Sequence, residues 1–119
     1  MIPSHVRIFV CTEPVDFRRS FDGLTLAARE RMGEDPRAGG LFCFRNRRSN
    51  RMKVLWFDGA HACLLYKRLH RAIFALPGSA GGERSVVRVD GAEFARLIEG
   101  VPIEGVRRRI QRQASADQI

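Results

Sequence analysis

Two short apolar runs, at residues 41–44 and 54–57, enclose a loop crowded with arginine, and this arrangement constrains the fold more than any other feature of the sequence. The runs are rich in Phe, Leu, Val and Trp, which fit the half-buried surface of a pleated strand, while Asn, Ser and Arg lie between them where a turn belongs. From Arg45 to Lys53 there are five cations and no acid. Residues 41–59 therefore predict a β-hairpin with a cationic tip.

Further strands are predicted on both sides of this hairpin. Asp58 and Gly59 form a familiar hairpin signal, and His70 with Arg71 would make a second tight turn before a strand that Pro77 stops. The predicted strands, in chain order, are residues 6–12, 62–69 and 72–76, with a short extended piece at residues 85–89. We expect an antiparallel meander in which the first strand pairs at one edge.

The first of two predicted helices runs from about Gly23 to Met32. Ser20 or Asp22 is suited to cap its first turn, and Gly33 is suited to end it. Its modest apolar stripe, at helical spacing, is formed by Leu24, Ala27, Ala28, Arg31 and Met32.

The second predicted helix begins at Asp90. Glu93, three residues later, completes a variant of the capping box, and Gly100 ends the helix. Its apolar stripe consists of Phe94, Leu97, Ile98 and Val101. The predicted class is thus α+β: an antiparallel β-meander of about four to five strands with two helices packed on one face. Residues 1–104 are expected to form a single domain, and residues 105–119 a basic, flexible tail.

The surplus of positive charge is confined to one part of the chain. Residues 36–82 contain nine bases and one acid, Asp58, which accounts for the whole net charge of +8, whereas the remaining residues carry twelve of each sign. Such a block is typical of a phosphate-binding face, the alternative being a solvated basic surface without a specific partner.

In an antiparallel meander the basic end of the strand at 62–69 lies at the same edge as the arginine-rich tip, so two basic clusters converge on one rim. Arginine suits such a site because its planar guanidinium grips phosphate at two points. The candidate nucleic-acid-binding residues are Arg45, Arg47, Arg48, Arg51, Lys53, Lys67, Arg68 and Arg71, joined by Arg18 and Arg19 unless these two pair with acids.

Catalytic residues are not evident. A metal-dependent nuclease needs clustered carboxylates, yet Asp22 and Asp58 each precede a glycine in a cap or turn, and Asp16 stands beside two arginines. No nucleophile elbow or phosphate-binding glycine loop is present in the sequence. We therefore expect neither an enzyme nor a bound metal or cofactor.

Cys11, Cys43 and Cys63 each lie inside an apolar run, which predicts buried, reduced thiols rather than disulfides or a zinc site. No stretch approaches the roughly 18 consecutive apolar residues of a membrane span, and the first residues lack the pattern of a signal peptide. The expected location is the cytoplasm.

The aromatic residues of the central strands have three interpretations. Trp56, Phe57 and Tyr66 fit a core best, but the same residues are suited to stack on bases. The nearly all-apolar run VLWF also fits a sheet covered on one side by a partner chain, which would make the protein a homo-oligomer.

Two long motifs resemble those of a known family. DFRRSFDGL, beginning at Asp16, is similar to D-M-R-[RK]-x-F-D-G-L, and LFCFRNRRSNRMKVLWFDGAHACLLYKRL, beginning at Leu41, is similar to the family's L-F-V-F-x-x-R-R-x-D-x-x-K-[IV]-L-x-x-D-G-x-G-x-x-L-x-x-K-R-L. Both resemble the accessory protein encoded by the second open reading frame of insertion-sequence-family-sixty-six transposons, the TnpB-like group. The sequence departs from that pattern at Asn50, often Asp in the family, and at Ala60 and His61.

The resemblance implies a role in transposition of a bacterial mobile element, beside a separate DDE-type transposase that carries the chemistry. Two hypotheses follow. The first is a non-catalytic accessory factor that contacts DNA, the transposon ends, through the basic rim. The alternative is a protein-interaction module that docks on the transposase without touching DNA.

Overall fold

The computed structural model describes residues 5–76 and 84–102. The helices and strands, in chain order, are β1 (Ile8–Cys11), α1 (Phe21–Ala27), β2 (Leu41–Arg45), β3 (Arg51–Asp58), β4 (His61–Arg68), β5 (Ala72–Ile73), β6 (Val86–Val89), α2 (Gly91–Glu99) and β7 (Val101–Pro102). Five of the strands form one sheet in the order β4-β3-β2-β1-β6. Two helices with a mostly antiparallel five-stranded sheet confirm the α+β class.

The predicted hairpin is present, and β2, β3 and β4 form a continuous antiparallel meander. The turn between β3 and β4 contains only Gly59 and Ala60, and Gly59 has a φ of +61°. Glycine is favoured there because a side chain is strained at positive φ. The Asp58-Gly59 signal therefore located a real two-residue turn.

The first strand, β1, lies inside the five-stranded sheet and not at its edge. β1 pairs with β2 in parallel, with Phe9 opposite Phe42, and with β6 antiparallel, with Phe9 opposite Arg88. The parallel pairing follows from α1, which carries the chain over one face of the sheet between the two strands. The extended piece predicted at residues 85–89 is thus the outermost strand of the sheet.

The predicted strand at residues 72–76 is not a strand of the meander. Only Ala72 and Ile73 are extended, and they pair with β7 in a separate two-stranded sheet. The backbone N–H of Phe74 donates to the carbonyl of Ser49, and Arg71, with a φ of +56°, turns the chain away from β4. This segment therefore packs across the end of the sheet and leaves the outer edge of β4 without a partner strand among the described residues.

The helices lie on opposite faces of the sheet, so the expectation that both cover one face is wrong. On one face, Leu24 and Met32 pack on Phe9, Phe42 and further residues of the strands. On the other face, α2 is anchored by its buried Phe94, in a cluster that also contains Ile8, Val10, Cys43, Val54 and Phe74. The physical reason is that β1 is apolar on both faces, and both must be covered.

The helix termini agree with the sequence in most details. Asp90 accepts from the N–H of Glu93 at 2.7 Å and the Glu93 carboxylate accepts from the N–H of Asp90 at 3.1 Å, which confirms the capping box. Ser20 precedes α1, but its side chain makes no capping hydrogen bond. The chain continues past α1 in a wider π-type turn, Ala28–Met32, and Gly33 ends it in the left-handed conformation.

The three cysteines are free thiols: Cys11 and Cys43 are buried, and Cys63 is half-buried. Burial raises the pKa of the Cys11 and Cys43 thiols, so both remain neutral at physiological pH. No helix within residues 5–76 and 84–102 has the length and apolar character needed to cross a membrane. The tail predicted at residues 105–119 lies outside the described residues.

Candidate nucleic-acid interface

The loop between β2 and β3 is a short, internally bonded tip. The Asn46 side chain accepts from the N–H of Arg51 at 3.0 Å and donates to the Asn50 carboxamide at 2.7 Å. The N–H of Ser49 donates to the carbonyl of Asn46 at 3.1 Å, and Ser49 adopts a φ of +57°. These bonds leave residues 47 and 48 at the apex, where both arginine side chains are exposed.

The second basic cluster lies beside this tip. In the β3–β4 ladder Arg51 is opposite Arg68, at the end of the strands nearest the tip. The N–H of Leu69 donates to the carbonyl of Asn50 at 2.8 Å, which brings the exposed Arg71 to the same end. We call the set formed by Arg47, Arg48, Arg51, Arg68 and Arg71 the arginine rim.

No acid of the described residues forms an ion pair with the arginine rim. Like charges directly opposite each other on adjacent strands are unfavourable, yet Arg51 and Arg68 occupy such a pair. The two ion pairs found among the described residues join Arg18 to Asp16 and Arg29 to Asp35, and neither includes a member of the rim. Asp58 lies at the other end of β3, by the Gly59 turn. The rim therefore presents a concentrated positive potential.

Arg45 supports the tip from inside rather than extending from it. Its guanidinium donates to the Ser49 hydroxyl at 3.2 Å and to the carbonyl of Thr12 at 3.3 Å. The side chain is half-buried. Arg45 therefore acts as a brace between the tip and the end of β1.

Lys53 differs most from the sequence-based expectation. The side chain is buried, with 5 % of the residue exposed, and its amino group donates to the carbonyls of Phe17 and Arg19. The same amino group lies 4.9 Å from the centre of the Phe17 ring and 5.3 Å from that of Tyr66. Burial lowers the pKa of Lys53, although nearby Asp16 acts in the opposite direction. A buried amine with these partners does not reach a phosphate, which sets Lys53 apart from the exposed candidate residues.

Lys67 is also engaged within the protein. Its amino group donates to the carbonyl of Ile98 at 2.6 Å, near the end of α2. A cation at a helix C-terminus satisfies one of the last carbonyls and opposes the negative end of the helix dipole. The structure therefore sets Lys67, like Lys53, apart from the free cations of the rim.

Arg18 and Arg19 have unequal environments. Arg18 holds the Asp16 carboxylate through two nitrogens, Nε and Nη2, which donate to Oδ2 at 2.9 and 2.6 Å, although its side chain is 91 % exposed. This hydrogen bonding lowers the pKa of Asp16 to about 2. Arg19 is half-buried and lies 3.5 Å from the carbonyl of Gly23. The ion pair that the sequence offered as an alternative for Arg18 is present.

A cleft of about 510 Å³ opens between the tip and the segment before α1. The tip contributes residues 46–48, the facing segment contributes residues 14–17, and Arg31 completes the lining. One Arg31 nitrogen donates to the carbonyl of Pro14 at 3.1 Å. Among the described residues that line the cleft, the only carboxylate is that of Asp16, which Arg18 already holds. The cleft thus has the size and charge to admit a phosphate group.

Arg31 was missed because the sequence places it within the apolar stripe of the first helix. The sequence did contain a signal for Arg31, because a charged residue in an apolar stripe must either reach the surface or find polar partners. The π-type turn at Ala28–Met32 directs it to the cleft.

The remaining candidates for chemistry are dispersed. Among residues 5–76 and 84–102, no three side chains of His, Cys, Asp or Glu come close enough to hold a metal ion. Trp56 is half-buried and packs in the cluster on the α2 face. Phe57 lies beneath the Arg37 guanidinium, 5.9 Å from its ring centre, while Tyr66 is 47 % exposed with its ring edge-on to Phe17. These three aromatic rings therefore do not form one platform.

Comparison with known proteins gives one family and two relatives. The model of the family described as IS66 Orf2 like protein matches residues 6–108. "Uncharacterized protein y4hO" of Sinorhizobium fredii (strain NBRC 101917 / NGR234) is 36% identical over 103 residues, covering 85% of this chain and 87% of that protein. "Uncharacterized protein y4jC" of the same strain is 33% identical over 104 residues, covering 87% and 86%. No solved structure gives a significant match.

Proposed function

This chain belongs to the IS66 Orf2-like family, which makes it a transposition-associated accessory protein, and we propose that it acts without catalysis by binding the DNA of the element through the arginine rim. The observation that carries the proposal is the rim itself: five arginines from three segments of the chain meet at one end of the sheet, and no acid pairs with them among the described residues. Such crowding of like charge is relieved when a polyanion binds.

The geometry supports contact with the phosphate backbone. Arg47 and Arg48 are held at an apex whose backbone is fixed by the Asn46 hydrogen bonds, so little backbone freedom is lost when they bind. Arg31 faces them across the cleft, which would let one phosphate accept from both sides. Contacts of this kind position a protein on a duplex but carry no sequence information.

The second candidate function is docking on the separate DDE-type transposase of the same element. It is favoured by the Asp16–Arg18 pair at the edge of the cleft, since a surface that mixes both signs is common where proteins meet. The partner would then present an acidic surface to the rim.

Binding of the full chain to a labelled transposon-end duplex across a salt series tests the proposal. If about six phosphates are contacted, affinity should fall about a thousandfold or more between about 50 and 200 mM salt. The triple variant Arg47→Ala, Arg48→Ala, Arg51→Ala should flatten the slope by about three units.

The matched control removes three exposed arginines outside the rim, with the same change of net charge: Arg37→Ala, Arg88→Ala, Arg96→Ala. Arg37 packs on Phe57 toward the other end of β3, and Arg88 lies on the opposite edge strand. Equal slopes for the two triple variants would reject the rim as the DNA site. The docking function would be established instead by two results together. The protein would show no affinity for DNA, and charge reversal of the rim would abolish its binding to the transposase.

A further inference from the structure

Among the described residues, the backbone groups along the outer edge of β4 have no hydrogen-bond partner. The bond from the N–H of Leu69 to the carbonyl of Asn50 continues the β3–β4 ladder, in which alternate residues bond to the same neighbour. The backbone N–H and C=O groups of the odd-numbered residues of β4 therefore bond to β3. Those of the even-numbered residues are directed to the outer edge of the sheet. The outward-pointing residues are Ala62, Leu64, Tyr66 and Arg68.

Between Ala62 and Tyr66 this edge lacks the features that normally prevent strand pairing. Exposed edges are usually short or carry proline, inward charges or a bulge. β6, the opposite edge, has four residues and includes Arg88. β4 has eight residues, and from Ala62 to Tyr66 it contains no charge, proline or glycine. Leu65 and Tyr66 are 40 % and 47 % exposed on this strand.

We propose that the edge of β4 binds the edge of β4 in a second copy of this chain, antiparallel, with Leu65 opposite Leu65. A two-fold axis perpendicular to the sheet produces this arrangement and keeps equivalent faces on the same side. The result is a continuous sheet of ten strands. The inference stands independently of whether the arginine rim binds DNA.

The register follows from the hydrogen-bonding groups. Placing Leu65 on the axis pairs Ala62 with Arg68 and Leu64 with Tyr66, so all four outward residues of both copies are used. A shift of two residues in either direction leaves at least one of them unpaired. The two Leu65 side chains would then form a pair without hydrogen bonds, at the closest cross-strand distance, about 4.5 Å between Cα atoms.

Charge is also complementary in this register. Arg68 is opposite Ala62 and Lys67 is opposite Cys63, so no cation faces another. The basic end of each β4 lies beside the turn end of its partner, where Asp58, the one acid of residues 36–82, is located and exposed. The two arginine rims come to opposite ends of the dimer and do not repel each other at close range.

Mass measurement of the full chain over a range of concentrations tests this pairing. The wild-type protein should reach twice the mass of one chain, and Leu65→Lys should remain a single chain because it brings two ammonium groups together at the axis. Leu26→Lys is the matched control, since Leu26 is 48 % exposed on α1, and it should dimerise as the wild type does. Circular dichroism establishes that both variants are folded.

Crosslinking adds a measurement that does not depend on weakening the interface. Leu65→Cys places two thiols at a Cα separation that a disulfide spans, and it should form a covalent dimer under mild oxidation, whereas Leu26→Cys should not. A wild-type protein that stays monomeric at all concentrations, a Leu65→Lys variant that still dimerises, or equal crosslinking at both positions would each overturn the proposal.

Discussion

The amino group of Lys53 lies 2.7 Å from the carbonyl oxygen of Arg19. It also donates to the carbonyl of Phe17, so one lysine of β3 holds the segment that precedes α1 at two carbonyls. The same segment is fixed a second time where the N–H of Val15 donates to the carbonyl of Arg45. The two sequence motifs typical of the family are therefore joined in space, and their junction forms one wall of the cleft.

Replacement of this lysine separates its structural role from a role in binding DNA. Lys53→Met keeps the length of the side chain but leaves two carbonyls without their donor, so we expect the free energy of unfolding in urea to fall by about 1–3 kcal/mol. The salt slope of DNA binding should not change, because the amine does not reach the surface. A slope that falls by about one unit would instead place Lys53 in contact with a phosphate.

The stability conferred by Lys53 should depend on pH in a defined direction. Because burial lowers its pKa in the folded protein, the unfolded chain binds more protons between that pKa and the ordinary lysine value of about 10.4. The free energy of unfolding of the wild type, measured relative to Lys53→Met, should therefore rise with pH through this window. Lys67→Met is the control for general effects of removing a lysine; a difference that falls with pH would contradict the burial.

Asp16 should stay ionised far below the usual range for a carboxyl. Its pKa is about 2 because Arg18 donates to both carboxylate oxygens, and the stabilisation from this pair is present above about pH 3.9 and is lost as pH falls through about 2. Carbon-13 NMR of the carboxyl group measures this directly. Arg18→Ala should move the midpoint toward about 3.9. Asp35 is the internal control: the N–H of Arg37 lowers its pKa, and that pKa should not change in the variant. A wild-type midpoint near 3.9 would show that the pair does not form in solution.

The rigidity of the tip should affect the affinity for DNA even when the net charge is unchanged. Asn46→Ala removes the acceptor for the N–H of Arg51 and the donor to Asn50, so we expect a loss of about 1–2 kcal/mol in stability and weaker DNA binding with an unchanged salt slope. Asn50→Asp keeps an acceptor for Asn46 and adds a negative charge beside the rim, so it should weaken binding chiefly at low salt. Binding by Asn46→Ala equal to the wild type would mean that the arginines need no fixed tip.

The parts of the structure that the sequence predicted are those set by neighbouring residues. The hairpin at residues 41–58 follows from two apolar runs around a turn, and the capping box of α2 follows from Asp90 and Glu93. Placement of Arg47 and Arg48 at the exposed apex follows from the same local pattern.

The parts that were wrong depend on residues far apart in the chain. β1 lies between β2 and β6 because both of its faces are apolar, and its pairing of Cys11 with Val86 has no local signal. Lys53 resembles a rim cation in the sequence, and its partners lie 34 and 36 residues away. Short-range patterns do not encode such contacts, since they arise only when the chain is folded.

The last prediction concerns Gly100, where α2 ends against the segment that carries Arg71. Gly100 has a φ of +77° and a ψ of 176°, a conformation that is essentially restricted to glycine. A Cβ there would also clash with the Leu69 side chain and lie 3.1 Å from the carbonyl oxygen of Ile73. We expect Gly100→Ala to lower the free energy of unfolding by about 1–3 kcal/mol.

Gly91, in the first turn of the same helix, is the matched control. A Cβ at Gly91 meets no atom within 4 Å, and its φ is not positive, so Gly91→Ala should leave stability unchanged or raise it by up to about 1 kcal/mol. Because Leu69 and Ile73 flank Arg71, the clash in Gly100→Ala should also displace part of the arginine rim and reduce DNA affinity, which Gly91→Ala should not do. Equal urea midpoints for the two variants would mean that the end of α2 does not pack tightly against this segment, and Gly100 would then have no part in positioning Arg71.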